Sequence, residues 1–373
     1  MVSSDLLSIY SRDPRCLEII TAIRQEERVR LRLRGMVGSA GAFVAAAVAR
    51  QVKGVHLFVL PDRESAAYFF NDLEQIHGEK EVKPEKRQVL FFPSSFKRGI
   101  EAGIKDNQGL LSRTEILNLL SRKTARGLIV TYPEALSEKV VNKKYLEKNT
   151  LKLSVGEQVN MDFILDLLLE YEFERTDFVI EPGQFSLRGG LIDVYSFSSD
   201  RPYRIEFSGD KVATLRTFDP SSQLSIEKKE EISIVPDVRV NPAKKNPCEV
   251  ILYFLPDNAY IWLDDVAFIA DRMDKQPASE MVLPGSEFLR LLLDFTTLEF
   301  GKQVYFKTGR PVAFSTTPQP SFNKNFDLLM SDLRKNSADG YRNFLLTDNP
   351  KQAERLQSIL NDLQDQSAEG SRQ

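Results

Sequence analysis

The run Gly35-Met36-Val37-Gly38-Ser39-Ala40-Gly41-Ala42, set between an alternating strand and an apolar helical stretch, limits the fold more than any other feature of the chain. A glycine-rich turn between a strand and a helix is the opening of a phosphate-binding α/β unit, in which backbone N–H groups gather at a helix N-terminus. The side chains that make such a turn chemically active are missing. In G-x-x-x-x-G-K-[ST] the lysine reaches the outer phosphates and the hydroxyl holds Mg²⁺. Here Ala40 replaces the second glycine, Gly41 the lysine and Ala42 the hydroxyl residue. Gly35, Gly38 and Ser39 keep the outline of a degenerate P-loop.

The pattern around this turn predicts an α/β lobe over residues 1–153. Val29 and Leu31 alternate with arginines up to Leu33, and Val55–Leu60, Val89–Phe92 and Leu128–Val130 are short apolar runs that read as strands. Asp62 is placed to cap a helix from Ser65 to His77 that Gly78 stops, and Arg113–Leu120 has helical spacing. Residues 154–236 read as a β-rich insert: a helix from Met161 to Tyr171, then strands around Phe185, Ile192 and Ile205. In Phe185–Arg188 the apolar residues fall on odd numbers, whereas Ile192 and Val194 are even. A bulge at Gly189-Gly190 is the expected device that restores the core face. After a linker from Asp237 to Pro247, residues 237–320 return to the α/β lobe. Residues 321–373 read as the start of a small α/β domain, with a helix Phe326–Arg334, a strand Phe344–Thr347, a helix Pro350–Leu363 and a polar, disordered tail from Asp365. Ending there, the chain reads as part of a longer protein.

Composition excludes several classes. Among 373 residues, Lys+Arg 50 against Asp+Glu 53 gives a net charge of −3, with no bulk attraction to phosphate backbones. Arg30, Arg32 and Arg34 share one strand face and could touch DNA, but a face of this kind more often meets acidic neighbours such as Glu26 and Glu27 or a neighbouring lobe. Two distant cysteines, Cys16 and Cys248, make neither a disulfide framework nor a zinc site. No apolar run spans a bilayer and no signal peptide opens the chain, so a cytoplasmic location is expected. His56 and His77 stand alone, which leaves no Ser-His-Asp or Cys-His arrangement. Asp264-Asp265 follows an apolar strand as a degenerate Walker B-like pair. With no lysine at 41 there is nothing to bring a nucleotide to it, so no metal and no cofactor is expected.

Four segments carry a more specific signal: Arg175-Thr176-Asp177-Phe178, Gly183–Val194 with its Arg188-Gly189-Gly190, Tyr203-Arg204-Ile205-Glu206-Phe207, and Phe218-Asp219-Pro220. Together they are similar to the insert domain shared by UvrB and the bacterial transcription-repair coupling factors, the Mfd family. The chain as a whole resembles the N-terminal, UvrB-like region of that family. The resemblance implies RecA-like (P-loop NTPase-like) UvrB-homology lobes, an α/β fold, with a β-rich inserted domain.

Three departures set the chain apart from UvrB. The loop has lost its glycine, lysine and threonine. Where UvrB has D-E-x-H, Asp265 replaces the glutamate and Ala267 the histidine. Between Phe92 and Arg113 there is too little chain for an aromatic DNA-gripping hairpin, and Phe96 is the one aromatic in that loop.

What the resemblance implies for function is a non-catalytic module that recruits UvrA to nucleotide excision repair. Exposed arginines of the insert would carry the contact; Arg175 and Arg188 match two of them, and Ser186 stands where UvrB has a third. A solvent-facing Arg188 could instead pair with Glu181 or Asp177, while Phe185 and Tyr195 read as packing residues. The resemblance further implies a longer parent with an ATP-dependent translocase motor that acts on DNA and RNA polymerase through other domains. In it, the insert would be masked by a contact with the parent's other domains until the motor engages. The alternatives are a UvrB-type ATP-dependent helicase-like enzyme with an atypical loop, and an inert scaffold for the motor.

Overall fold

The structure is a computed structural model that describes residues 2–79, 82, 86–95, 107–239, 247–277, 279–323, 325–345, 347 and 349–370. It divides by internal contacts into residues 1–316 and 317–373.

The first unit opens with helices Val2–Arg12 and Pro14–Gln25, the second capped by Asp13, whose carboxylate accepts from Arg15 N. Then come β1 (Arg30–Arg34), β2 (Val55–Val59), β3 (Val89–Phe91) and β4 (Gly127–Thr131), with helices Ala40–Gln51, Arg63–His77 and Asn107–Leu120 between them. Asp62 caps Arg63–His77 by accepting from Ser65 N, and Gly78 ends it in the left-handed conformation at φ +67°. Short strands β5 (Val140–Val141) and β6 (Leu151–Ser154) lead into the insert. The insert runs through helix Met161–Glu170 and strands β7 (Glu174–Arg175), β8 (Gln184–Arg188), β9 (Leu191–Val194), β10 (Tyr203–Ser208), β11 (Lys211–Phe218), β12 (Ser225–Lys229) and β13 (Glu231–Ile234). The chain then returns through β14 (Cys248–Glu249) to β15 (Tyr260–Leu263), β16 (Thr296–Glu299) and β17 (Arg310–Ala313).

Seven strands form one sheet in the order β17-β1-β16-β15-β2-β4-β3, every pairing parallel. Strands from before and after the insert therefore interleave. β2 and β4 are buried at every residue, as strands covered by helices on both faces must be. Helix Ala40–Gln51 buries Ala42, Val44, Ala45, Ala46, Ala47 and Val48, small side chains that let its backbone lie close to the sheet. The fold is mixed α/β with a large parallel sheet and a β-rich insertion.

The insert is a six-stranded sheet in the order β12-β11-β10-β9-β8-β7. Gly189-Gly190 is not a bulge. It is the two-residue loop of a β8–β9 hairpin in which Arg188 faces Leu191, Leu187 faces Ile192 and Phe185 faces Val194. Across a two-residue loop an odd residue always faces an even one, so the change of parity is the register itself. Gly189, at φ +61°, supplies the left-handed residue the loop needs.

Two further expectations fail in residues 317–370. Of the strand expected at Phe344–Thr347, the described residues Phe344, Leu345 and Thr347 lie in no strand and Leu346 lies outside the described residues; the described part of this unit holds only helices Phe326–Ala338 and Pro350–Gly370. Helix Pro350–Gly370 also takes in residues 365–370 of the tail expected to be disordered from Asp365, whose last three residues lie outside the described residues. Phe96 and residues 240–246 of the expected linker lie outside the described residues. No described helix is long and apolar enough to cross a membrane.

Candidate functional site

The degenerate P-loop joins β1 to helix Ala40–Gln51 and is tied to the end of β17. Gly35 sits at φ +75°, and a Cβ there would lie 2.0 Å from the Phe314 carbonyl oxygen. The Thr316 hydroxyl donates to the Gly35 carbonyl at 2.7 Å and accepts from Val37 N at 3.0 Å. Gly38 is also left-handed, and Ser39 makes no side-chain cap to the helix it precedes. Ala40 and Ala42 are buried. A Cβ on Gly41 would come within 3.9 Å of both Phe69 and Phe300, whose rings stack at 5.8 Å.

A cavity of about 330 Å³ lies in front of this loop, lined by Gly38, Gly41, Asp72, Asp264, Phe300 and Lys302 among others. The two carboxylates of the Walker B-like pair have separated roles. Asp264 lines the cavity, and burial with the neighbouring Asp265 pushes its carboxyl up while Lys302 opposes the rise. Asp265 instead adopts φ +54° and caps helix Val266–Asp274, accepting from Phe268 N at 3.2 Å. Among the described residues that line the cavity, Lys302 is the one cation. Aromatic rings and an aspartate thus meet the space where a nucleotide phosphate would lie.

Two of the three arginines of the β1 row meet neighbouring parts of the fold, and Arg34 is exposed. The Arg30 guanidinium lies 5.2 Å from the Phe306 ring centre, and the Arg32 stem packs at Gly309. Glu26 turns to Arg310 on the neighbouring strand rather than to the row.

On the insert, Arg188 points away from the core as its alternation requires, but its partner is neither Glu181 nor Asp177. Its guanidinium donates to Asp193 at 2.5 Å and lies 5.6 Å from the centre of the Phe178 ring. Asp193 is wholly buried and also accepts two bonds from Arg204, at 2.8 and 2.9 Å. This bidentate clamp raises the Arg204 pKa. Arg175, exposed on β7, and Arg188 line one open concavity of about 540 Å³ with Thr176, Asp177, Phe178 and Leu187. Ser186 is buried, and among the described residues its hydroxyl has no hydrogen-bond partner. Phe185 and Tyr195 are core residues.

Residues 151–239, which hold this concavity, match the family model of the UvrB interaction domain. The insert is similar to that domain. The chain is also similar to the transcription-repair-coupling factor of Bacillus subtilis strain 168, with 28% identity over 57% of this chain and 18% of that protein. The corresponding factor of Escherichia coli K12 is 25% identical over 54% of the chain and 17% of its own length. UvrABC system protein B of Thermosipho africanus is 23% identical over 59% of the chain and 34% of its length. The chain therefore matches less than a fifth of the coupling factors and about a third of UvrB.

Sequence reasoning singled out Arg175 and Arg188, which the fold brings to one concavity, and Gly38, Gly41 and Asp264, which it brings to another. It named Asp193, Arg204 and Phe178 only within the signature segments and gave them no role. The signal was present in part: with Gly189-Gly190 read as a hairpin loop, Asp193 falls opposite Ser186 on the arginine face of the sheet.

Proposed function

We propose that this chain is a non-catalytic recruiting module that binds UvrA through the arginine face of its insert, as part of a coupling factor linking stalled transcription to nucleotide excision repair. The observation that carries the reading is the convergence of Arg175 and Arg188 on one open concavity within the UvrB interaction domain. Arginine held in place by a buried carboxylate keeps unused N–H donors and loses little conformational freedom on binding, the behaviour of an interface hot spot. DNA, RNA polymerase and the masking contact belong to other domains of the longer protein, and its work is cytoplasmic.

Nucleotide hydrolysis is not part of this role. A triphosphate with its Mg²⁺ needs a loop lysine and a hydroxyl ligand, while the cavity here offers Lys302 against Asp72 and Asp264. The rival reading, a nucleotide-binding helicase-like lobe, draws on one observation: Gly38, Gly41 and Asp264 still surround a common cavity.

Calorimetric titration of the chain against purified UvrA, beside an Arg175→Ala, Arg188→Ala double variant checked by circular dichroism, tests the recruiting role. Binding that the double variant loses supports it, and no binding by the unaltered chain overturns it. A parallel titration with ATP and Mg²⁺ decides the rival, which requires micromolar affinity.

A further inference from the structure

The face of the insert sheet that carries Arg188 holds one register row through five strands. Ser186 faces Asp193, Asp193 faces Arg204, Arg204 faces Arg216, and Arg216 faces Lys228. Three cations thus stand directly opposite one another on β10, β11 and β12, an arrangement that costs stability unless anions relieve it. Asp193 relieves Arg204, and Glu206 takes Arg216 at 2.7 Å. Lys228 stays exposed on the edge strand.

Beside this row lies an apolar strip. The segment after β7 is pinned over the same face by Val179, which is buried with Tyr195 and Phe218 and whose carbonyl accepts from Gln223 Nε2 at 3.2 Å. Pinning Val179 inward turns its neighbours outward: Phe178 is 56% exposed and Ile180 60%. Leu224, next to Gln223, is 69% exposed. Ile226 is exposed too, because the β11–β12 register passes from Thr217–Glu227 to Phe218–Ser225 and leaves it as the unpaired residue of a bulge. Ile180 and Leu224 each follow a residue of this one hydrogen bond, which ties the loop after β7 to the turn before β12.

We propose that this strip and row form one docking surface, which extends the recruiting contact from the Arg175–Arg188 concavity across the sheet to β12. Its occupant is a protein surface with an apolar centre and carboxylates at its margin. Large exposed apolar side chains flanked by arginine suit a protein interface. A phosphate backbone would leave those side chains uncovered and would find two of the three row cations already matched by carboxylates. The proposal rests on the recruiting role and names the chemistry of that partner's surface.

The test is UvrA binding by the full chain and by two variants, Leu224→Ser with Ile226→Ser, and Lys228→Glu, each checked by circular dichroism. All three positions are exposed and leave Arg175 and Arg188 intact. The apolar double variant is expected to weaken binding about ten-fold or more, and Lys228→Glu to weaken it more at low salt than at high salt. Wild-type affinity in both variants overturns the extended surface and leaves recruitment by the arginine pair standing. Failure of the unaltered chain to bind UvrA overturns both readings. A single-stranded oligothymidylate titrated in parallel gives the remaining outcome: binding to it that Lys228→Glu abolishes, with UvrA binding unchanged, overturns the protein occupant in favour of nucleic acid.

Discussion

Trp262 Nε1 donates to His56 Nδ1 at 3.1 Å, joining β15 to β2 in the middle of the parallel sheet. The other ring nitrogen of His56 then carries its proton and donates to the Val52 carbonyl at 2.8 Å. This tautomer satisfies two buried polar groups at once, and it requires a neutral ring. Burial lowers the His56 pKa from 6.5 to about 4, against the opposing effect of the hydrogen bond to the Val52 carbonyl. Between those values the unfolded chain binds a proton that the folded chain refuses. Stability from this site is therefore complete above pH 6.5 and is lost as the pH falls toward 4, amounting to about 3 kcal/mol in all. Urea unfolding at pH 7, 5.5 and 4.5 checks it: the wild type is expected to lose more stability on acidification than His56→Gln, which has no ring to protonate.

Gly35 and Gly38 both have positive φ, yet substitution is expected to separate them. A Cβ at Gly35 meets the Phe314 carbonyl oxygen at 2.0 Å, whereas one at Gly38 meets nothing within 4 Å. Gly38→Ala carries only the left-handed backbone cost, about 1 kcal/mol. Gly35→Ala must also push β17 away from β1, and is expected to cost about 3 kcal/mol or more. Thermal unfolding of the two variants side by side gives the comparison, and equal losses would remove the steric explanation.

Arg113 is a wholly buried cation. It donates to the carbonyls of Pro93, Ala135 and Glu138, stacks 4.2 Å from the Phe92 ring centre and lies 3.6 Å from the Glu138 carboxylate. Glu138 in turn accepts from Ser94 and Ser95. Arg113→Ala leaves those carbonyls without their donor and the carboxylate without its counter-charge, so a loss of about 4 kcal/mol is expected. Glu138→Gln keeps a polar acceptor for the serines and is expected to cost less than half as much. Denaturant midpoints of both variants check the order.

The parallel sheet was readable because its strands are short apolar runs such as Val55–Leu60 and Leu128–Val130, which only burial on both faces accommodates. The strand order was not. β15 and β16 enter between β1 and β2 from beyond the insert, and nothing local in Tyr260–Leu263 names its neighbours. The hairpin at Gly189-Gly190 was misread because a bulge and a two-residue loop both switch the apolar face from odd to even residues. Only the pairing partner distinguishes them. The same gap hid Asp193, whose role depends on facing Ser186 and Arg204 across two strand boundaries. Phe344 and Leu345 are strand-like residues, but a strand exists only where a ladder accepts it. The glycine loop was legible down to its missing lysine. The rings that roof it, Phe69 and Phe300, were not, since they come from a helix and a strand end far apart in the chain.

That roof decides what restoring the motif would do. Gly41→Lys with Ala42→Thr recreates the lysine and hydroxyl of a working phosphate loop, and sequence alone predicts a gain of nucleotide binding. The structure predicts otherwise. A side chain on Gly41 starts 3.9 Å from both Phe69 and Phe300, and Ala42 is 1% exposed inside the core. Ala42→Thr therefore overpacks the helix–sheet interface and is expected to cost about 1–3 kcal/mol. The new lysine would meet stacked rings and the Asp264 carboxylate before any phosphate. The expected result is no ATP binding by calorimetry together with a lowered Tm. Micromolar ATP affinity in the double variant would show that the missing side chains alone silence the loop and that the aromatic roof yields to a nucleotide.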